Sequence, residues 1–430
     1  MAKYKAYPEY RDSGVEWLGL VPKSWTICRL KNLATIKNGQ DYKSVQSDDG
    51  YPVMGSGGQF TFASKFMYDK PSVLLGRKGT IDKPLYINEP FWTVDTMYYT
   101  ELNEGFDAKY LHYLALTIQF SRYSTNTALP SMTQEHLSNY KFSVPKAESE
   151  RKKITEFLDL ETAKIDDLIA KQQQLIELLK EKRQAVISHA VTKGLNPDVA
   201  MKDSGVEWLG EVPEHWRVSS LGYYSSLNTG ATPDRSNSKY WNGEIAWIKT
   251  GEVNYNNISS SEEKITSEAV KNTSVRLSPP GTLLMAMYGQ GITRGRVAIL
   301  DISATYNQAC VAISPNETLL NVYLRLFFMA GYHAIRDGGN ETSQMNLNAD
   351  IVRKFKILVP PVSEQREIVR YLDCNLPQIE ILLERADSVI ALLQERRTAL
   401  ISAAVTGKID VRDWVAPEKQ DVEEPQEATA

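Results

Sequence analysis

The chain is written twice, and an internal repeat constrains a fold more than any local signal. Residues 12–25 read DSGVEWLGLVPKSW and residues 203–216 read DSGVEWLGEVPEHW, differing at three of 14 positions. A longer, looser repeat runs ERKKITEFLDLETAKIDDLIAKQQQLIELLKEKRQAVISHAVT from Glu150 and EQREIVRYLDCNLPQIEILLERADSVIALLQERRTALISAAVT from Glu364. The first repeat recurs after 191 residues and the second after 214, so the block between them is 23 residues longer in the second copy. A duplicated framework therefore surrounds two divergent blocks.

In the long repeat, apolar residues recur at spacings of three and four. Ile165, Leu168, Leu175, Leu179 and Val186 are answered by Ile379, Leu382, Val389, Leu393 and Leu400, a helix-pairing seam interrupted at Gln172 and Lys182, and at Ala386 and Arg396. Pro377 predicts a break between a short helix near 364–373 and a long one over 378–405, because proline lacks the amide donor and crowds the preceding turn. The blocks at 26–144 and 217–359 hold most of the glycine, asparagine and tyrosine. Their short apolar runs, such as 73–75, 281–287 and 297–300, are bounded by turn residues and read as strands. SVLLGRKGTI and GTLLMAMYGQGI each carry an apolar strand into a glycine turn, and each block ends in Val-Pro, at 144–145 and 359–360. The blocks read as one fold, diverged.

The fold class that follows is α+β: two similar mainly-β domains, two long helices and an internal pseudo-twofold repeat. Paired antiparallel, the helices would bury their seams against each other and carry the blocks to opposite ends. About 27 helical residues make a rod of about 40 Å, near one turn of duplex DNA.

Composition narrows function by exclusion. Four hundred and thirty residues, 42% hydrophobic and 24% charged, describe a globular chain. Its opening ten residues lack a signal-peptide core, and no apolar run reaches membrane-spanning length, so the cytoplasm is expected. Three cysteines and five histidines stand scattered, without metal-ligand spacing. The net charge of −4 conceals two slightly basic blocks, 12 basic against 11 acidic residues in 26–144 and 14 against 11 in 217–359. No phosphate-loop motif or adenine-pocket motif of an amino-methyltransferase is present. The glycines at 289, 291 and 295 are out of register for a dinucleotide loop and read as a β-turn. Asp234 with Glu262, Glu263 and Lys264 mimics a nuclease triad but reads as charge on a solvated loop. Composition alone leaves a coiled-coil scaffold without its own DNA recognition as the alternative.

The S-G-V-E-W-L-G-x-V-P-x-x-W box at Ser13 and Ser204, ETSQMNLNADIVRKFKILVPPVSEQREIV from Glu341, LISAAVTGKID from Leu400, and TPDRSNSKYWNGEIAWIKTGEV from Thr232 resemble the specificity subunit of type I restriction-modification enzymes. The resemblance runs along nearly the whole chain in the family's order. It implies a non-catalytic subunit whose two target recognition domains each read one half of a bipartite, asymmetric site in double-stranded DNA. It also implies two methyltransferase subunits using S-adenosylmethionine and motor-nuclease subunits using ATP and Mg²⁺, with no cofactor on this chain. The division expected is 1–144 for the first box and recognition domain, 145–201 for the first helical spacer, 202–359 for the second box and domain, 360–415 for the second spacer, and 416–430 for a disordered acidic tail. One departure is NGQDYKSVQSDDGYPVMGSGG from Asn38, which stands where the family's T-P…Y-W tract is expected.

Base reading needs donors and acceptors on loops that can enter a groove, with phosphate contacts beside them. The DNA-binding candidates are Arg77, Lys78 and Lys83 at the first glycine turn, Gln290, Arg294 and Arg296 at the second, and Gln344 and Asn346 on a later polar loop. The loop at 125–133 is its counterpart in the first block. The bland readings are solvated charge on a turn and helix capping by Thr133 or Asn348. The repeated tryptophans, Trp17, Trp25, Trp208 and Trp216, read as packing anchors.

Overall fold

The computed structural model describes residues 4–123, 130–288, 293–336 and 347–416. The chain divides into two units: residues 1–173 with 388–430, and residues 174–387. Each unit takes a block, the start of the long helix that follows it, and the end of the other long helix.

In the first unit, a strand order of 34–38, 97–102, 72–76 and 85–87 forms the main sheet, and 92–93, 51–55, 58–63 and 46–47 form a second. Helices α1 (Ala108–Ala115) and α2 (Gln134–Asn139) lead to α3 (Glu148–Lys193). Asp107 and Thr133 cap α1 and α2 by accepting from backbone amides of the first turn. The central strand, Ser72–Gly76, is buried throughout, the signature of a strand covered on both faces.

The second unit repeats the plan with other residues. Strands 225–229, 310–315, 283–286 and 297–300 lie in the same order, extended by 257–258, and a smaller sheet holds 263–265, 241–248 and 304–306. Helices α4 (Ser267–Asn272), α5 (Asn321–Ala330), α6 (Tyr332–Arg336) and α7 (Ala349–Lys354) precede α8 (Val362–Val405). Asn348 caps α7.

Two-stranded ribbons tie each block to its framework: Trp25–Arg29 pairs antiparallel with Lys141–Pro145, and Arg217–Ser220 with Lys356–Val359. Beside each ribbon the tryptophan box folds as a hairpin whose last tryptophan is fully buried, Trp25 in the first unit and Trp216 in the second. Trp25 Nε1 donates to Glu150 at 2.9 Å and Trp216 Nε1 to Glu364 at 2.8 Å, so each box grips the first turn of a long helix. Each box also seats the end of a long helix. Gly407 has φ +75°, and a Cβ there would meet Pro22 Cγ at 2.3 Å; at Gly194, φ +79°, the ring of Trp216 would lie at 3.2 Å. Only glycine fits both the left-handed backbone and the close approach.

The next residue of each helix is a second latch. Arg151 donates to the carbonyls of Pro145 and Gly105, while Gln365, fully buried in the same place of the repeat, donates to Pro360 and Thr318 and accepts from the Leu320 amide.

The helical seam differs from the spacing argument. Ile165, Leu179, Ile379 and Leu400 are buried, and Val186 and Leu393 pack against the cores. Leu168, Leu175, Leu382 and Val389 are exposed. Each of these belongs to a doublet of adjacent apolar residues, and the partner turns inward instead: Ile169, Ile176, Leu383 and Ile390 are buried or half-buried. Neighbours on a helix lie about 100° apart, so only one of each pair can face the seam. Gln172 and Ala386, counted as interruptions, lie within the covered stripe. Within the first unit Arg397 donates to Asp166 at 2.8 Å, and within the second Arg183 donates to Glu380 at 2.6 Å.

Pro377 does not break α8, which runs unbroken through it. Asp373 and Pro377 sit on the exposed side of the helix, where water reaches the carbonyl that lost its amide. Buried Leu372 and Ile379 hold the turns on either side. Side-chain amides of Asn375 and Gln378 donate to the carbonyls of Tyr371 and Cys374 around it. Among the described residues no helix is long and apolar enough to cross a membrane.

Candidate nucleic-acid interface

In the first unit, buried strand 72–76 delivers the chain to a turn at Arg77, Lys78 and Gly79. A Cβ on Gly76 would strike Ile81 Cα at 2.5 Å, so the tight return requires glycine. The turn is pinned from two sides. The Arg77 and Lys78 amides donate to the Thr96 carbonyl at 2.9 and 3.2 Å, and the Gly79 amide donates to Pro130 while Met132 donates back to Arg77. The glycine turn and the far end of the polar loop predicted at 125–133 are thus hydrogen-bonded neighbours. The Arg77 guanidinium donates to the Asp95 carbonyl at 3.2 Å and lies over the Tyr98 ring. Burial pushes the Tyr98 hydroxyl above its usual range, with Arg77 opposing it. Lys78 and Lys83 stand exposed on either side. One edge therefore carries three cations on a rigid base.

The second unit builds its edge similarly. Strand Leu283–Ala286 leads toward a turn at 293–296, closed by the Gly295 amide donating to Ala286 at 2.8 Å and Ala286 donating to Arg296 at 2.9 Å. Gly295 packs against Ile335 and Arg336 at the end of α6. Residues 293–296 and 336, which adjoin 289–292 and 337–346 in the sequence, are thus neighbours. Gln290, Gln344 and Asn346 fall on those segments and lie outside the described residues. Arg294 is half-buried. Arg296 turns back on the domain: Nη1 donates to Asn254 Oδ1, and the guanidinium stands 5.8 Å from the centre of the Tyr255 ring.

The acidic residues of the apparent nuclease pattern are engaged. Arg235 pairs with Glu263 at 2.6 Å and lies 4.0 Å above the Trp241 ring, while Lys249 bridges Glu262 and Glu263. Arg235 holds the Glu263 carboxyl below its ordinary range, and the two glutamates hold Lys249 above its own. Glu263 belongs to strand Glu263–Ile265. No cluster of three or more potential metal ligands occurs among the described residues. Trp17 and Trp208 pack on the domains, Trp17 beside Tyr140 and Trp208 between Phe327 and Phe355.

Sequence reasoning missed Glu150, Glu364, Arg151 and Gln365. The signal was present, since the long repeat begins at these residues, but Arg151 and Gln365 reach Gly105, Leu320 and Thr318, 45 to 47 residues away, and the glutamates accept from tryptophans 125 and 148 residues away.

The family model of the type I restriction modification DNA specificity domain matches residues 22–178 and again residues 213–386. The EcoBI specificity subunit of Escherichia coli is 23% identical over 446 residues, covering 95% of this chain and 91% of the relative. The MjaIX specificity subunit of Methanocaldococcus jannaschii is 30% identical over 171 residues, 38% of each chain. Another E. coli type I specificity subunit is 28% identical over 41% of this chain and 42% of its own length. With these last two the alignment spans less than half of the relative. Among solved structures, a chain from one on complex assembly and conformational transition of the type I R-M system superposes with TM-score 0.70 at 14% identity, covering 90% of this chain and 99% of that one. The HsdS subunit from Thermoanaerobacter tengcongensis gives 0.50, also at 14% identity, covering 90% and 98%. At such identities the likeness is one of fold.

Proposed function

Because the chain belongs to the type I restriction modification DNA specificity family, we propose that it is the sequence-specific DNA-binding subunit of a type I restriction-modification complex. Its recognition domains, 1–144 and 202–359, each read one half of a bipartite, asymmetric target. The spacers, 145–201 and 360–415, run antiparallel and fix the distance between the halves. The observation that carries this reading is the same edge built twice from different residues. In each unit a buried strand, a glycine turn and the attachment of a polar segment converge, with Arg77, Lys78 and Lys83 in one and Arg294 and Arg296 in the other. One fold with two side-chain sets is what two unlike half-sites require.

The chain itself is non-catalytic. Two methyltransferase subunits using S-adenosylmethionine, and motor-nuclease subunits using ATP and Mg²⁺, supply the chemistry. The methyltransferase subunits dock on the outward apolar members of the helical doublets, which are exposed within each unit: Leu168, Val389 and Leu392 in the first, Leu178, Ile381 and Leu382 in the second.

The test is methylation mapping of genomic DNA from cells carrying the chain with its methyltransferase partner, against cells lacking only this chain. A two-part adenine motif that appears with the chain and vanishes without it is expected; an unchanged methylome would sink the proposal. Within that assay, Lys78→Ala and Arg77→Gln should relax one half of the motif and leave the other intact. A loss of about 1–3 kcal/mol per base contact predicts about 5- to 150-fold weaker discrimination at that half.

A further inference from the structure

In the second unit, two tyrosines stand in a row between two arginines, and of the four only Arg296, on the glycine turn, belongs to a candidate base-reading loop. Arg296 stands over Tyr255 at 5.8 Å, the Tyr255 and Tyr332 rings meet edge-on at 6.4 Å, and Arg336 lies 5.9 Å from Tyr332 while donating to its hydroxyl at 3.4 Å. The backbone of Tyr255 is left-handed, φ +58°. A bulky side chain there costs about 1–3 kcal/mol, and such strain persists where the surroundings hold it. The Tyr255 amide, donating to Val297 at 2.7 Å, and the Arg296 bond to Asn254 do so here. Burial pushes the Tyr255 hydroxyl well above its usual range; Tyr332 adds to this, while Arg296 and Arg183 oppose it. The Tyr255 phenol therefore stays protonated at physiological pH. The row sets two phenols between two guanidinium groups, and beside it Glu380 is bound to Arg183.

Its position is equally informative. Gly295 packs on Arg336, so the row lies among the described residues that adjoin, in the sequence, both segments carrying the remaining candidate base readers. Tyr332 and Arg336 stand on a short helix, half-buried and braced against each other. Side chains held that way cannot extend into a groove to read base edges, but they can meet a backbone phosphate that passes them.

We propose that the Arg296–Tyr255–Tyr332–Arg336 row is a sugar-phosphate contact that sets the register of the second recognition domain on DNA. The proposal rests on the specificity reading above. Phosphate contacts of this kind position a protein without carrying sequence information, and each one adds about one unit to the salt dependence of binding.

The experiment uses the full chain assembled with its methyltransferase subunits and fluorescent duplexes with and without the target. Affinity is measured across a salt series for wild type, Arg336→Gln and Arg336→Lys. The Gln variant is expected to bind both duplexes about tenfold more weakly near 0.1 M salt. The slope of log affinity against log salt should fall by about one. The methylation motif should not change, and the Lys variant should recover most of the affinity. An unchanged slope, an altered motif, or a Lys variant as weak as the Gln variant would each overturn the phosphate contact. Equal wild-type binding to both duplexes would instead sink the specificity reading, while the slopes would still decide the contact.

Discussion

Trp216→Ala is expected to destabilise the second unit by about 3–5 kcal/mol, the range for deleting a large, fully buried aromatic. Trp216 closes the hairpin of its box, packs on Gly194 at the end of α3 and donates to Glu364 at the start of α8. Its loss removes three joints at once and strips a donor from a half-buried carboxylate. Trp216→Phe restores much of the volume but not the N–H, and should cost about 1–3 kcal/mol. Chemical denaturation followed by circular dichroism, with proteolytic fragments assigned by mass, reads both. The first unit should keep its own transition in Trp216→Ala, and Trp25→Ala should give the mirror result. A Trp216→Ala chain as stable as wild type would show that the box is not the clasp of its unit.

The triple variant Leu178→Glu, Ile381→Glu, Leu382→Glu is expected to abolish assembly with the methyltransferase subunits while leaving the chain folded. These side chains are 55%, 47% and 46% exposed, so charge at these positions costs the isolated chain little. Burying an aliphatic side chain of this size stabilises an interface by about 1.5–3 kcal/mol. Losing three of them, with charge left to desolvate, removes more than about 4 kcal/mol and therefore about a thousandfold or more in affinity. The control is one residue away. Leu179 is 7% exposed, and Leu179→Glu should unfold the second unit itself. Co-elution and native mass spectrometry of mixed subunits, beside the circular dichroism of each variant, separate the two effects. Full assembly by the triple variant would move the docking surface elsewhere.

That contrast between residues 178 and 179 also shows where the sequence stops being legible. The duplication could be read by comparing the chain with itself, and the first strand-to-glycine turn, the Val-Pro closures and the anchoring tryptophans directly, because each of these is written in residues close together in the chain. The doublets could not. Leu168 and Ile169, or Leu382 and Leu383, are equally apolar, and only the packed partner decides which faces inward. The latch residues were hidden for a related reason, since a glutamate at a helix start looks solvated until a tryptophan 125 residues earlier is found donating to it. At the candidate interface the glycine turns were visible as separate features. Their adjacency to the polar segments is tertiary, set by the bonds of Gly79 to Pro130 and the packing of Gly295 on Arg336.

The ribbons that join block to framework have an evolutionary consequence. In the first unit Trp25 pairs with Pro145 and Arg29 with Lys141; in the second, Arg217 pairs with Val359 and Ser220 with Lys356. The chain thus enters and leaves each block side by side, and everything between is a closed excursion from a constant stem. A recombination event that crosses over once in each arm of a stem would exchange the whole excursion without disturbing the clasp or the helices. On the reading proposed above, such a protein would acquire a new half of its target in one step, as a cassette, without passing through intermediates that read nothing.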